Sequence, residues 1–158
     1  MKRSFTTGLS FGLTSGVITT LGLMVGLTSG THSTLAVVGG IITIAVADAF
    51  SDALGIHVAE ESKGSHSNAE VWEATFATLL SKMVIALTFL VPVFLFSLDR
   101  AVFVAVGWGL LLLGLLSYRM AREQGSKPLH VIGEHLLIGL GVIITTHFLG
   151  DWIAVTFN

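Results

Sequence analysis

Five long apolar stretches separated by shorter polar ones dominate the chain. They lie near residues 5–28, 35–56, 75–98, 101–118 and 131–155. Each approaches the ~20 residues a helix needs to cross a bilayer. The period-2 alternation of a barrel strand is absent, and lipid offers no hydrogen bonds to an open backbone. The pattern therefore predicts an all-α polytopic membrane protein, with residues 1–158 forming a single transmembrane domain of five helices. Four connections follow: 29–34 short and neutral, 57–73 longest and most acidic, 97–100 a tight turn, and 119–128 basic. The lysine and histidine among the serines at 62–67 suggest a flexible turn inside the acidic connection.

Composition sharpens this picture. Only 11% of the residues are charged, against 53% hydrophobic, and the mean hydropathy is +0.86. A soluble domain carries about 25% charged residues, so a water-facing surface cannot be built here. The opening Met1-Lys2-Arg3 followed by an apolar run resembles a signal peptide, but the run continues to about Leu27, too far for a cleaved segment. It reads as the first spanning helix. If the spans alternate, Lys2, Arg3, Lys63, Arg119, Arg122 and Lys127 fall on one side and Arg100 on the other. The positive-inside rule then places the N-terminus and the 57–73 connection in the cytoplasm and the C-terminus outside. With no targeting extension in view, a prokaryotic plasma membrane is expected.

The net charge of −2 argues against nucleic acid as a partner. Cysteine is absent, which excludes disulfides and thiolate metal sites. No nucleophile elbow, phosphate-cradling glycine loop or HExxH motif is present, so neither an enzyme nor a bound cofactor is expected.

Chemistry concentrates in the first two spans. Gly8, Gly12, Ser15, Thr19, Gly22 and Gly26 recur in steps of three and four. That spacing predicts one small-residue seam along the first helix, suited to close packing and, at Ser15 and Thr19, to a polar pathway. In the second span Asp48 and Asp52 are four apart and share a helical face. A charge at the bilayer centre costs at least ~2.5–3.5 kcal/mol. The pair therefore requires water, a proton, a cation or a basic partner. Two carboxylates side by side repel, which makes them candidates for carrying a proton, and as hard oxygen donors they suit magnesium, calcium, manganese or ferrous iron. The competing reading is a polar lock closed by Lys82, unless Lys82 snorkels from near the start of the third span to the interface.

Further along, His57, Glu60, Glu61, Glu70 and Glu73, with His66, form either a solvated loop or a cytoplasmic capture site for a divalent metal. His130 and Glu134, with His135 beside them, and His147 and Asp151 have metal-ligand spacing near helix ends. Trp72, Trp108 and Trp152 read as packing residues or interfacial anchors.

Three stretches resemble the vacuolar iron transporter family. FGLTSGVITTLGLMVGL at 11–27 is similar to that family's first helix, DAFSDALGIHVAEES at 48–62 to its second-helix motif, and KPLHVIGEHLLIGLGVIITTHFLG at 127–150 to its last helix. The resemblance implies a five-helix fold, a homodimer, and proton-coupled export of ferrous iron or manganese from the cytoplasm as transported substrate. This chain departs from the family pattern. Ser15 stands where the family has a first-helix aspartate, Asp52 where it has a pathway methionine, Ile56 where it has a glutamate, and Glu134 at an often basic position. The family's long metal-binding insertion is reduced to the 57–73 connection. A cation site of Asp48 and Asp52 with Ser15 nearby is expected, preferring harder ions. The alternatives are a non-transporting structural or regulatory protein on the same fold, or a carrier of another small cation or organic amine.

Overall fold

The computed structural model describes residues 3–64 and 66–157. Lys2, counted in the charge asymmetry, lies outside them. Six helices follow in order: α1 (Arg3–Thr31), α2 (Thr34–Ser62), α3 (Asn68–Thr88), α4 (Leu90–Leu95), α5 (Leu98–Gln124) and α6 (Pro128–Phe157). No strand occurs among the described residues. α3 and α4 together make one span, so five helical segments are long and apolar enough to cross a membrane. The division between them has a local cause. Pro92 has no N–H to offer the Thr88 carbonyl, and its ring crowds that turn. The backbone tightens instead through Phe89 N to Ala86 O at 3.1 Å. The Thr88 hydroxyl donates to the Ile85 carbonyl at 2.6 Å and accepts from Trp108 Nε1 at 3.2 Å.

The exterior is apolar as well as the core. Phe103, Leu129 and Val155 are at least four-fifths exposed, while Thr78, Ser117 and Lys82 are buried among apolar side chains. An apolar exterior of this kind is stable where the surroundings are hydrocarbon. This is the fold of a multi-pass membrane protein.

α1 is the hub, packing against α2, α3, α5 and α6. Small residues let it do so, though not along the single seam that their spacing predicts. Gly8 and Gly12 face α3, where a Cβ on Gly12 would sit 2.6 Å from the Thr78 carbonyl oxygen. Gly22 and Gly26 face α6, and Gly150 of α6 approaches so closely that its Cβ would lie 2.9 Å from Ser29 Cβ. A central helix with neighbours all round distributes its small residues between them. The Thr19 hydroxyl turns back on its own helix, donating to the Ser15 carbonyl at 3.0 Å.

The acidic connection is also shorter than the polarity of 57–73 predicts. α2 continues to Ser62 and α3 begins at Asn68. The polar residues there are helix ends beyond the apolar span. Glu70 accepts from the Ser67 backbone N–H and hydroxyl, both at 2.9 Å, and caps α3. Gly64, at φ +64°, supplies the left-handed turn.

Gly12→Val should cost about 3 kcal/mol, the upper end for overpacking, because it meets backbone that cannot move aside. Gly55→Ala, with nothing within 4 Å of the new Cβ, should stay within about 1 kcal/mol of the parent. Thermal unfolding in detergent compares the two; equal midpoints would remove the close α1–α3 approach as a determinant of the fold.

Candidate functional site

The helical turn brings Asp48 and Asp52 to the same side of α2, facing α1 and α3. Lys82 enters from α3 and Ser15 from α1. Lys82 Nζ lies 2.5 Å from Asp48 Oδ2, also contacts Asp52 Oδ2, and donates to Ser15 Oγ at 3.0 Å. The Ser15 hydroxyl in turn donates to Asp52 Oδ2 at 2.7 Å. The Asp48 contact is a close ionic approach rather than a directed hydrogen bond. An ammonium has three protons to give, and here three oxygens surround it. Counted formally, two carboxylates and one ammonium leave the cluster at −1.

Depth gives this cluster its importance. Lys82 is fourteen residues into α3 and Ser15 twelve into α1, roughly 20 Å from that end of the bundle at 1.5 Å per residue. Lys82 does not snorkel from near the start of its span. α3 begins seven residues earlier than the apolar pattern predicts, at Asn68 instead of residue 75. The ammonium is therefore held midway along the bundle, where its side chain is 2% exposed.

The remaining predicted site residues do not join it. Glu60 is buried and takes Lys63 Nζ at 2.5 Å and His66 Nδ1 at 2.8 Å, fastening the α2–α3 turn. His57 lies against the Trp72 ring, with Nδ1 3.0 Å from Thr75 Oγ1. Glu70 is a helix cap, Glu73 is partly buried and Glu61 points outward. Among the described residues no three His, Asp or Glu side chains gather as a metal cage, so the predicted capture site at 57–73 does not form. His130–Glu134 at 3.3 Å and His147–Asp151 at 3.6 Å are exposed pairs without a third ligand.

The residue sequence reasoning placed wrongly is Lys82, and a usable signal existed. Antiparallel helices joined by a short turn put residues equidistant from the turn at equal height. Asp52 and Lys82 are fifteen residues either side of 67, inside the true turn. Two interhelical clamps obey the same rule: His57 with Thr75 about 66, and Ser117 with His135 about 126.

Comparison with family models, with curated proteins and with solved structures gives no match to this chain.

Removing one partner of a buried ion pair costs about 3–5 kcal/mol, while removing all charged partners together is often neutral. Lys82→Met alone should lower stability by about that amount. Adding Asp48→Asn and Asp52→Asn should recover most of the loss. Denaturation of the single and triple variants in detergent measures this; a triple variant no better than Lys82→Met would mean that the three charges are not coupled.

Proposed function

We propose that the chain is a proton-coupled transporter of divalent metal cations, with Asp48 and Asp52 as the ion ligands and Lys82 as the resident cation that the ion replaces. The observation supporting this reading is the Lys82 ammonium shared between two carboxylates midway along the bundle. An intramembrane ionisable cluster marks an ion or proton path by default. A divalent ion that takes both carboxylates competes with protons and with the Lys82 ammonium for the same oxygens. The exchange strands no net charge in hydrocarbon when the protons released match the charge of the ion bound.

Carboxylate and hydroxyl oxygens favour hard ions. Manganese and ferrous iron are the ions implied by the resemblance to vacuolar iron transporters. Export follows from the same resemblance, with the lysine- and arginine-rich end taken as cytoplasmic. A homodimer belongs to the same proposal and has separate support. The Asp48 and Asp52 side chains are 28% and 20% exposed, beside the outward apolar residues Val46, Phe50 and Leu54. Lipid tails are a poor cover for carboxylates, and a second copy of α2 is a better one.

A second reading has its own observation. Lys82 is almost fully buried, hydrogen-bonded to Ser15 and Asp52 and ion-paired with Asp48, as in a strut that fixes α1, α2 and α3 and transports nothing. Proteoliposomes with an imposed pH gradient separate the two readings. Transport predicts manganese or iron flux that follows the gradient, is unaffected by clamping the membrane potential, and falls to the level of empty liposomes in Asp48→Asn/Asp52→Asn. A folded wild type without flux would leave the strut. For the dimer, the cysteine-free chain permits a clean test. Ser51→Cys, on the exposed face of α2, should form a disulfide-linked dimer in membranes, whereas Phe103→Cys on α5 should not. Equal cross-linking of both, or of neither, would count against the α2 interface.

A further inference from the structure

On the opposite side of α1 from the triad, a cavity of about 850 Å³ opens between α1, α5 and α6, lined among others by Ser10, Thr14, Met120, Glu123 and His135. The proton on His135 is fixed by its neighbour. Ser117 has one hydroxyl proton, which it donates to the Leu113 carbonyl at 2.5 Å. Its oxygen, 2.7 Å from His135 Nδ1, is therefore the acceptor, and Nδ1 carries the hydrogen. That leaves the lone pair on Nε2, as in histidines oriented by an outer partner for metal binding.

Met120 is three residues beyond Ser117 on α5, so it is the next residue on the same face, roughly 5–6 Å away between Cβ atoms. Its sulfur meets the Thr14 hydroxyl at 3.9 Å. Glu123 is exposed and pairs through Oε1 with Arg119 at 2.9 Å. Among the partly buried lining residues the strongest donors for a metal are a neutral imidazole nitrogen and a thioether sulfur. Neutral donors compensate little charge, and a thioether selects soft ions such as copper(I).

We propose that this cavity binds a soft monovalent metal cation of the copper(I) and silver(I) class through His135 Nε2 and Met120 Sδ. The site shares no residue with the Asp48–Asp52–Lys82 cluster and does not depend on the transport reading.

Silver(I), which has no redox chemistry under these conditions, is titrated into the detergent-solubilised full-length chain against a competing chromophoric chelator. The wild type should take up silver. Met120→Leu, which conserves volume and keeps the packing, and His135→Gln should lose it. Ser117→Ala, which removes only the group that orients the imidazole, should weaken binding roughly 10- to 100-fold. Asp48→Asn/Asp52→Asn should bind as the wild type does. Silver binding unchanged in Met120→Leu, or lost in the aspartate variant, would overturn the assignment. Zinc(II) held as tightly as silver would overturn the preference for a soft monovalent ion. Silver binding that follows Met120 in a protein without manganese or iron flux would uphold this site while removing the transport reading.

Discussion

The position of one ammonium group organises this bundle. Lys82 brings a positive charge midway along the bundle, where its side chain is 2% exposed, and among the described residues its compensation comes from α1 and α2. That requirement propagates outward. α1 must approach α3 closely enough for Ser15 to reach both Lys82 and Asp52, and Gly8 and Gly12 let the backbones meet there. The Thr78 hydroxyl lies at the same contact, its one proton shared between the Gly8 carbonyl at 3.1 Å and the Ala74 carbonyl of its own helix at 2.9 Å. α2 must present both aspartates to one side, which the i,i+4 spacing achieves without distortion. The small residues are thus the condition for the charged ones.

The parts of the fold legible in the sequence are those set by lipid. Apolar length predicts five spans because the bilayer thickness is a fixed ruler, and the aspartate pair stands out because charge is rare among such residues. The turns were harder to place, for a physical reason. A transmembrane helix does not stop where hydrocarbon stops; it continues into the headgroup region, where polar side chains are favourable. Residues 57–62 and 68–73 are such extensions. Reading polarity as loop moved the start of α3 by seven residues, two helical turns, and that error carried Lys82 from the centre of the bundle to its edge. The capping pattern Ser67-x-x-Glu70 was in the sequence and marks the true start.

The partners of the histidines were hidden in the sequence for a related reason. His57 and His135 both sit at positions where a neighbouring helix offers a hydroxyl whose hydrogen is already committed to its own backbone, Thr75 to Val71 and Ser117 to Leu113. Such a hydroxyl oxygen keeps its lone pairs, and an imidazole N–H across the interface can donate to it. His147 makes a comparable contact to Ser29, joining α6 to α1. Spacing along one helix, the usual signature of metal ligation, says nothing about partners on another helix. The decisive pairs are separated by eighteen residues around a turn or by more than a hundred.

α1 therefore separates two chemically unlike environments, and consecutive residues belong to different ones. Ser15 joins hard, anionic oxygens around an ammonium; Thr14, turned about 100° away on a 3.6-residue helix, touches a thioether in a cavity whose metal donors are neutral. The two sides differ in how much positive charge they neutralise. Toward α2 and α3 two carboxylates face one lysine, leaving room for further positive charge. Toward α5 and α6 the cavity at Thr14 has one carboxylate in its lining, Glu123, which pairs with Arg119. On the two proposals, that difference sorts the ions: the carboxylate side selects by charge, the imidazole–thioether side by polarisability. The same helix supplies a hydroxyl to each side, Ser15 to the carboxylate cluster and Thr14 to the thioether.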